Sequence, residues 1–313
     1  MKPKAIALLG PTASGKTGLA LQLAAYLPLE IISIDSALVY RGMDIGTAKP
    51  SATERAAAPH HLIDIISPLQ SYSAANFVTD CTRLCAEIQA RGKLPLIVGG
   101  TMMYYQALTN GLNDLPEADE NIRAQLQAEK QQYGLAHLYR RLQQADPATA
   151  LRLQPADAQR IERALEVWLI TGKPLSEHFA DQAAYSMPLD LHTVALFPAD
   201  RKQLHHQIAK RFHTMLEQGF LNEVQALQTA YPTLNPDTPA MRCVGYRQAW
   251  DYLAGRSDYD TFVERGIAAT RQLAKRQLTW LRKLCADTVI DPYQTDMLPL
   301  VLRTAEQHFS QPS

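Results

Sequence analysis

The positions of the hydrophobic residues predict an α/β core. The apolar run at residues 5–9 has the length of a short buried strand, and helical spacing follows at Leu19, Ala20, Leu23 and Leu27. Further apolar runs predict strands at residues 30–35, 61–65, 94–98 and 191–197, and an amphipathic helix at residues 73–90. Strands that alternate with helices are typical of a parallel sheet flanked by helices.

Between residues 111 and 190 the strand patterns stop, and helical periodicity covers residues 121–144 and 155–171. After residue 198 the predicted helices lie at residues 201–218, 221–231, 248–254 and 260–286, with a terminal helix after about residue 291. These patterns predict three parts: residues 1–110 and 191–313 as the two parts of the core, and residues 111–190 as a helical insertion.

The turn after the first strand matches G-x-x-x-x-G-K-[ST], the phosphate-binding loop, in the strand-to-helix setting that the motif requires. Glycine lets the backbone fold closely around an anion, and the amides at the helix start face a phosphate. The Lys ammonium adds a full charge and the Thr hydroxyl suits Mg²⁺. The predicted phosphate-binding residues are Gly10, Pro11, Thr12, Ala13, Ser14, Gly15, Lys16 and Thr17, with Mg²⁺ at Thr17; the alternative is a turn that binds nothing.

The second strand ends in Asp35, at the sheet edge that also carries the phosphate loop. Ligands of open α/β sheets bind at this edge, which favours a functional carboxylate over a simple helix cap. A polar loop at residues 36–49 follows and is longer than a plain connection needs. The strand at residues 94–98 leads into Gly99-Gly100-Thr101, where motor-type ATPases have a metal-orienting Asp, so this departure argues against that class.

Composition excludes some classes of protein. The 313 residues carry 31 Lys plus Arg and 31 Asp plus Glu, so any surface that binds nucleic acid must be local. No run approaches the ~18 apolar residues of a membrane span, and residues 5–9 are too short for a signal peptide, which predicts a cytoplasmic protein. The four cysteines have no disulfide or metal spacing and are predicted to be buried thiols, and adjacent histidines point apart, which disfavours metal ligation at His60-His61 or His205-His206.

A local positive surface is predicted near the C-terminus. From residue 265 to residue 286 the predicted helix has no acidic residue and carries Arg265, Arg271, Lys275, Arg276, Arg282 and Lys283. Such a stripe suits a phosphate backbone, whereas the alternative is a solvated helix face. Nearby, Arg242 and Arg247 flank Tyr246, whose ring can stack on an exposed base.

Seven segments resemble, in chain order, the signature segments of the bacterial tRNA dimethylallyltransferases (tRNA isopentenyltransferases). They are GPTASGKT, IDSALVYRGMDIGTAKP, LIVGGTMMYYQAL, DAQRIERALEVWLITGKPLS, RFHTMLEQGFLNEV, MRCVGYRQAW and TRQLAKRQLTWLR. The resemblance covers about residues 5–291. It implies a P-loop NTPase-like α/β core with a helical tRNA-binding domain inserted into it.

The resemblance also implies a reaction, the transfer of the dimethylallyl group from dimethylallyl diphosphate to N6 of the adenine immediately 3′ of the anticodon, in tRNAs that read codons beginning with U. Asp35 matches the family's general base, Thr101 a residue near the reacting amine, and Arg211 an arginine at the diphosphate. The insertion is expected to contact the anticodon stem-loop, and we expect a monomer. The implied tRNA contacts are Asp35, Ser36, Ala37, Leu38, Thr101, Arg123, Gln159, Arg160, Ile161, Glu162, Arg163, Arg242, Cys243, Val244, Gly245, Tyr246, Arg247, Lys275, Arg276, Gln277, Leu278, Thr279, Trp280, Leu281 and Arg282.

Three alternatives share part of this pattern. A small-molecule kinase has the loop, the fold and a helical lid but no use for the basic stripe. A non-enzymatic RNA-binding P-loop protein keeps the stripe but needs no carboxylate beside the diphosphate. An isopentenyltransferase acting on free adenine nucleotides shares the core without needing the insertion.

Overall fold

The computed structural model of the chain describes residues 2–112, 115–180 and 185–310. The chain divides into two units, Asn110–Ser186 and the remainder on either side of it. The elements of the larger unit are β1 (Lys4–Leu9), α1 (Lys16–Ala24), β2 (Leu29–Ile34), α2 (Ala52–Ala57), β3 (His60–His61), α3 (Ala74–Ala90), β4 (Leu94–Gly99) and α4 (Met102–Asn110). The smaller unit contains α5 (Glu120–Tyr133), α6 (Leu135–Ala145), α7 (Pro147–Arg152), α8 (Ala158–Thr171) and α9 (Leu175–Ala180).

The larger unit then continues to the end of the described chain. Its remaining elements are β5 (Asp190–Leu196), α10 (Arg201–Glu217), α11 (Phe220–Ala230), a 3₁₀ turn (Pro239–Arg242), α12 (Tyr246–Leu253), α13 (Tyr259–Leu281), β6 (Thr288–Ile290) and α14 (Met297–Ser310).

The strands of the described residues form one parallel sheet in the order β3-β2-β4-β1-β5-β6. Alternate residues of β1 face opposite sides, so Ala5 and Ala7 pack with α3, α4, α10 and α13, while Ile6 and Leu8 pack with α1 and α14. Both faces of the sheet are therefore buried under helices, which is the usual condition of a parallel sheet. This confirms the predicted fold class of the core.

A third hydrophobic cluster of the larger unit, besides those on the two faces of the sheet, joins the helices α10 to α13. It is built on aromatic rings, with Phe220 against Tyr246 at a centroid distance of 5.0 Å and Phe212 against Phe262 at 5.8 Å. Val39 and Met43, from the loop after β2, are buried in the same cluster. The loop is therefore anchored to these helices by its own apolar side chains.

The smaller unit has a helical core of its own, formed by apolar residues of α5 to α9 that include Leu138 and Leu165. Its helices have well-defined ends. Asp157 caps the start of α8 by accepting a hydrogen bond from the Arg160 amide, and Gly172 ends it with a left-handed φ of 70°.

Most predicted elements are confirmed, and the errors lie where backbone geometry overrides the pattern. The predicted helix at residues 121–144 is two helices, since Gly134 has a φ of 82° between them. The strand predicted at residues 61–65 ends at His61, because Leu62 and Asp64 also have positive φ angles. The last basic helix ends at Leu281 instead of residue 286, and β6 was not predicted.

The prediction of buried thiols holds for part of the set. Cys81 and Cys85 are buried on α3, Cys243 is half-buried and Cys285 is exposed, and all four are free. Within the described ranges, none of the helices is long and apolar enough to cross a membrane.

Candidate active site

Three segments that were predicted to bind substrate meet at one edge of the sheet. The phosphate loop follows β1, Asp35 follows β2, and Thr101 comes shortly after β4. Backbone hydrogen bonds join these strand ends: the Gly10 amide donates to the Gly99 carbonyl at 3.3 Å, and the Thr101 amide donates to the Ile34 carbonyl at 3.1 Å. The carboxyl ends of parallel strands are where open α/β sheets bind ligands, so this edge is the candidate site.

The phosphate loop has the backbone shape of an anion cradle. Ala13 and Gly15 adopt positive φ angles of 63° and 86°, which turn successive amides toward one concavity. Gly15 is the N-cap of α1 and contributes no side-chain hydrogen bond, so the amides of the first turn are left for an anion. A side chain at Gly10 would place its Cβ 2.7 Å from the Ser14 hydroxyl oxygen, which explains the glycine there.

Lys16 turns back over this loop. Its Nζ donates to the Pro11 carbonyl at 2.6 Å and to the Ser14 hydroxyl oxygen at 3.5 Å. Burial, together with the nearby Arg211 cation, lowers the pKa of the ammonium to about 7, although the Asp35 carboxylate opposes that shift. Because an anion at the loop would stabilise the charged form, the site is poised to bind one.

Arg211, on α10, belongs to the same electrostatic neighbourhood. Its Nη2 donates to the Thr47 carbonyl at 3.4 Å. Burial lowers the pKa of its guanidinium, and the Asp35 carboxylate again opposes the shift. Two cations and one carboxylate therefore act on one another at this edge.

Asp35 is half-buried and keeps one oxygen for chemistry. Its Oδ1 accepts a hydrogen bond from the Ala37 amide at 2.8 Å, and Oδ2 has no partner among the described residues. The helix-cap alternative is wrong, since the next helix is α2 and its cap is Ser51. Burial and, second, the Asp35 carboxylate raise the pKa of the Cys243 thiol to about 12, so that neighbour stays protonated.

Thr101 connects the end of β4 to the segment that follows Asp35. Its Oγ1 accepts a hydrogen bond from the Ser36 amide at 3.0 Å and lies 3.4 Å from the Ser36 hydroxyl oxygen. Since Thr101 is half-buried, its hydroxyl is held in place beside the candidate base.

Part of the predicted tRNA surface on α13 faces the interior. Leu278 and Leu281 are buried in the core, and Gln277 is only 9% exposed. The Gln277 carbonyl oxygen accepts from the Thr12 amide at 2.8 Å, while its Nε2 donates to the Gly100 carbonyl at 3.0 Å. These three side chains are therefore structural, because helical periodicity turns them inward. The exposed positions here are Lys275, Arg276, Thr279, Trp280, Arg282 and Lys283.

The predicted stacking role of Tyr246 is wrong. The side chain is fully buried, and its hydroxyl donates to the Glu223 carboxylate at 2.5 Å, so its ring cannot meet a base. Gly245 is buried as well, and Val244 and Cys243 are half-buried. The exposed members of this segment are Arg242 and Arg247.

In the smaller unit, predicted tRNA contacts also make internal ion pairs. The buried Glu166 carboxylate accepts from Arg123 at 2.8 Å and from Arg163 at 2.7 Å, while Ile161 is buried in the core. Glu162 pairs with Lys130 at 2.6 Å. The exposed members of this set are Arg123, Gln159 and Arg160.

The side chains near the phosphate loop that could act as metal ligands restrict how a metal ion can bind. Among the described residues there is no group of three or more His, Cys, Asp or Glu that could hold a metal ion. The exposed Thr17, in the first turn of α1, offers one hydroxyl beside the phosphate loop. A Mg²⁺ ion fits here if phosphate oxygens and water supply most of its ligands, as is usual for this ion.

Comparison with known proteins identifies the family. A family model described as IPP transferase matches residues 38–284. The chain belongs to this family. Over 291 residues, 93% of each chain, it is 68% identical to the tRNA dimethylallyltransferase of Neisseria meningitidis serogroup C. It is 59% identical over 307 residues to the tRNA dimethylallyltransferase of Chromobacterium violaceum, covering 98% of this chain and 94% of that one.

Solved structures of IPP transferase relatives have the same fold. The full-length tRNA isopentenylpyrophosphate transferase of Bacillus halodurans matches with a TM-score of 0.70 and 35% identity, over 98% of both chains. A eukaryotic dimethylallyltransferase crystallised while acting on tRNA matches with a TM-score of 0.83 and 27% identity, over 99% of this chain and 80% of that one. The family resemblance inferred from the seven sequence segments is confirmed.

Proposed function

We propose that the protein transfers the dimethylallyl group from dimethylallyl diphosphate to N6 of the adenine immediately 3′ of the anticodon, in tRNAs that read codons beginning with U. Family membership supports the reaction class. The observation that carries the proposal is the Asp35 carboxylate, one oxygen of which has no partner among the described residues, within electrostatic reach of the two cations Lys16 and Arg211. That combination suits a reaction that removes a proton and releases an anion.

The carboxylate has a clear role in this reaction. The adenine amine is a weak nucleophile because its lone pair is delocalised into the ring. As N6 attacks C1 of the donor, the N6–C1 bond forms and the C1–O bond to diphosphate breaks. The proton leaving N6 goes to Oδ2 of Asp35, and such a base contributes about 10²–10⁴-fold. The Thr101 hydroxyl, beside this base, orients the amine.

The departing diphosphate gains charge as the C1–O bond breaks. The amides of the phosphate loop, the Lys16 ammonium and the Arg211 guanidinium stabilise that charge in the transition state. Mg²⁺ held at Thr17 would neutralise part of the charge on the diphosphate. Lys16 would bind in its charged form, since an anion beside an ammonium raises the ammonium's pKa.

The tRNA contacts are proposed for exposed cations. In the larger unit these are Arg242 and Arg247 and the exposed residues of α13 and of its C-cap, Arg282. Lys275, Arg276 and Arg282 form no ion pair with any described residue. In the smaller unit, Arg123 and Arg160 are exposed, and we propose that this unit contacts the anticodon stem-loop. The target adenine must be splayed out of its loop, which costs less than leaving a duplex. We propose that the enzyme acts as a monomer in the cytoplasm, where its tRNA is found.

One assay tests the proposal against its rivals. Purified protein is incubated with radiolabelled dimethylallyl diphosphate and either a substrate tRNA, the same tRNA with guanine in place of the target adenine, or AMP. Label in the first tRNA alone is expected. Label in AMP would support the free-nucleotide transferase, and label in neither nucleic acid nor nucleotide would contradict the proposed function.

A further inference from the structure

Glu223, on α11, has no role in the reaction described above, yet its carboxylate receives four hydrogen bonds. Oε2 accepts from the Asp44 amide at 2.8 Å and from the Ile45 amide at 2.6 Å. Oε1 accepts from the Gly46 amide at 3.1 Å and from the Tyr246 hydroxyl at 2.5 Å. Three successive amides that converge on one anion form a backbone nest, and here the protein's own carboxylate fills it.

The surroundings fix this arrangement. Gly46 packs directly on the aromatic cluster, since a Cβ there would lie 2.2 Å from the Phe220 ring and 2.7 Å from that of Tyr246. Burial and the Glu223 carboxylate both raise the pKa of the Tyr246 hydroxyl, so it remains a donor. All four groups around the carboxylate are therefore donors, which a neutral side chain cannot satisfy.

The clamped segment leads to the reacting groups. The next residue, Thr47, presents the carbonyl that accepts from Arg211, and its hydroxyl donates to the Met43 carbonyl at 2.6 Å. At the far end of the same loop stands Asp35. A side chain that fixes the amides of residues 44–46 thus fixes the backbone between Asp35, the proposed base, and Thr47, which contacts Arg211, the cation proposed to bind the diphosphate.

Lys49 gives the loop a second anchor. Its buried ammonium donates to the Tyr40 carbonyl at 2.8 Å and to the Asp44 carboxylate at 2.7 Å, and it also pairs with Asp64. Because this anchor does not touch the amides that Glu223 binds, removing Glu223 should loosen residues 44–47 without releasing the whole loop.

We propose that Glu223 is a positioning residue for dimethylallyl transfer: by holding the amides of residues 44–46 it keeps Asp35 and Arg211 in register across the bound donor. This proposal rests on the proposed function. It assigns Glu223 an effect on the chemical step that the packing of α11 alone would not produce.

The test uses Glu223→Gln in the full-length protein, with Glu217→Gln as its matched control. Glu217 is exposed at the end of α10 and accepts no hydrogen bond from the described residues. The amide introduced in place of the Glu223 carboxylate would keep one acceptor oxygen, so at least one of the four donors loses its partner. A second variant, Tyr246→Phe, removes one donor and leaves the carboxylate on its three amides.

Two measurements are made on each protein. Hydrogen–deuterium exchange of peptides covering residues 41–49, without substrates, reports directly on the clamp. The single-turnover rate at saturating tRNA and dimethylallyl diphosphate reports on the chemical step. For Glu223→Gln we expect faster exchange in these peptides and a single-turnover rate reduced roughly tenfold, since small misplacement of reacting groups is costly. The tRNA dissociation constant should stay within about twofold of the wild-type value.

The two measurements distinguish a positioning role of Glu223 from a purely structural one. Unchanged exchange in Glu223→Gln would show that the carboxylate does not hold the loop. Faster exchange with an unchanged single-turnover rate would make Glu223 merely structural. If the wild type modified no tRNA, the proposed function would fail, but the exchange result would stand separately. Should Glu223→Gln not fold, Tyr246→Phe decides: the proposal then requires a smaller change in the same direction in both measurements.

Discussion

The two loops at the active edge of the sheet keep their shape in different ways. The phosphate loop relies on its own backbone, with left-handed turns at Ala13 and Gly15 and a helix that starts directly after them. The loop at residues 36–49 relies on remote side chains, since Glu223 lies 177 to 179 residues beyond the amides it binds. Arg211 lies 164 residues beyond the carbonyl to which it donates.

This difference matches the different functions proposed for the two loops, which are binding the diphosphate and placing the groups around the reaction centre. A diphosphate can be cradled by a local motif because amides and a helix N-terminus suffice to bind an anion. Placing a base and a cation on either side of a reaction centre requires contacts between distant elements. We therefore expect damage to the phosphate loop's own residues to be severe, and damage to the side-chain tether that Gln277 of α13 provides to be mild.

Among the changes that test this comparison of the two loops, loss of the Lys16 charge should have the largest effect. In Lys16→Ala we expect turnover to fall by roughly 10²–10³-fold, because a charge that stabilises the departing diphosphate is gone. Steady-state rates at several donor concentrations measure this, with Lys202→Ala, an exposed lysine on α10, as the control. Turnover within a few-fold of the wild type would remove Lys16 from the mechanism.

The lowered pKa of Lys16 predicts a pH effect on donor binding. With a pKa of about 7, the Lys16 side chain is charged below neutral pH and loses its positive charge as the pH rises above 7. The affinity for a non-reactive thio analogue of the donor should thus weaken above pH 7, by up to about tenfold per unit, the limit for uptake of one proton. Lys16→Ala removes this dependence, while the titration of the analogue itself is common to both proteins. If the affinities of the wild type and of Lys16→Ala changed with pH in the same way, Lys16 would not be the group responsible for the pH dependence.

The exposed basic residues at the end of α13 belong to neither loop, so removing their charges should not change the binding of dimethylallyl diphosphate. Replacing Lys275 and Arg282 with Ala should weaken the binding of all substrate tRNAs and reduce the slope of log affinity against log salt by roughly 0.7–0.9 per lost phosphate contact. Fluorescence titrations at several salt concentrations measure the slope, with Arg303→Ala on α14 as the matched exposed control. An unchanged slope would make this face of α13 a solvated surface.

Gln277 is a remote tether of the phosphate loop, beside the hydrogen bond from the Tyr293 hydroxyl to the Ala13 carbonyl, and its loss should have the smallest functional effect. Gln277→Met leaves the Thr12 amide and the Gly100 carbonyl without partners, which should cost about 1–3 kcal/mol in the free energy of unfolding. The dissociation constant of the donor analogue should rise only about fivefold, the worth of one hydrogen bond. Denaturant unfolding and calorimetric titration give the two numbers. A loss of donor binding as large as that of Lys16→Ala would mean that the loop's shape is not local.

Sequence patterns correctly predicted the elements that have a periodic hydrophobic pattern and the sites that are encoded by a contiguous motif. The helix α3 and the strands β1, β2, β4 and β5 were correct to within a residue or two, and the phosphate loop was found from a contiguous motif. The three residues of β6 are too few to show a period. The break at Gly134 was missed because both flanking segments are helical and the second helix starts at the next residue, Leu135.

The misassignment of Tyr246 and the omission of Glu223 have the same cause, a partner that is distant in the sequence. Tyr246 lies between arginines in the sequence, which favoured a base-stacking role, but its partner Glu223 is 23 residues away. Glu223 itself is a single acidic residue on a helix, and nothing local marks it. Gln277 did carry a signal: it shares a helix face with Ala274, Leu278 and Leu281, so its position predicts burial. Side chains whose partners are distant in the sequence could not be assigned from pattern alone.

The central claim, that Asp35 takes the proton from the adenine amine, is tested most directly by Asp35→Asn. The substitution keeps an oxygen that can accept from the Ala37 amide but removes the basic carboxylate. Single-turnover transfer at saturating donor and tRNA, measured beside the tRNA dissociation constant, separates chemistry from binding. We predict that the transfer rate falls by at least ~10²-fold, as for the loss of a general base, while tRNA affinity is preserved. A near-normal rate in Asp35→Asn would contradict the account.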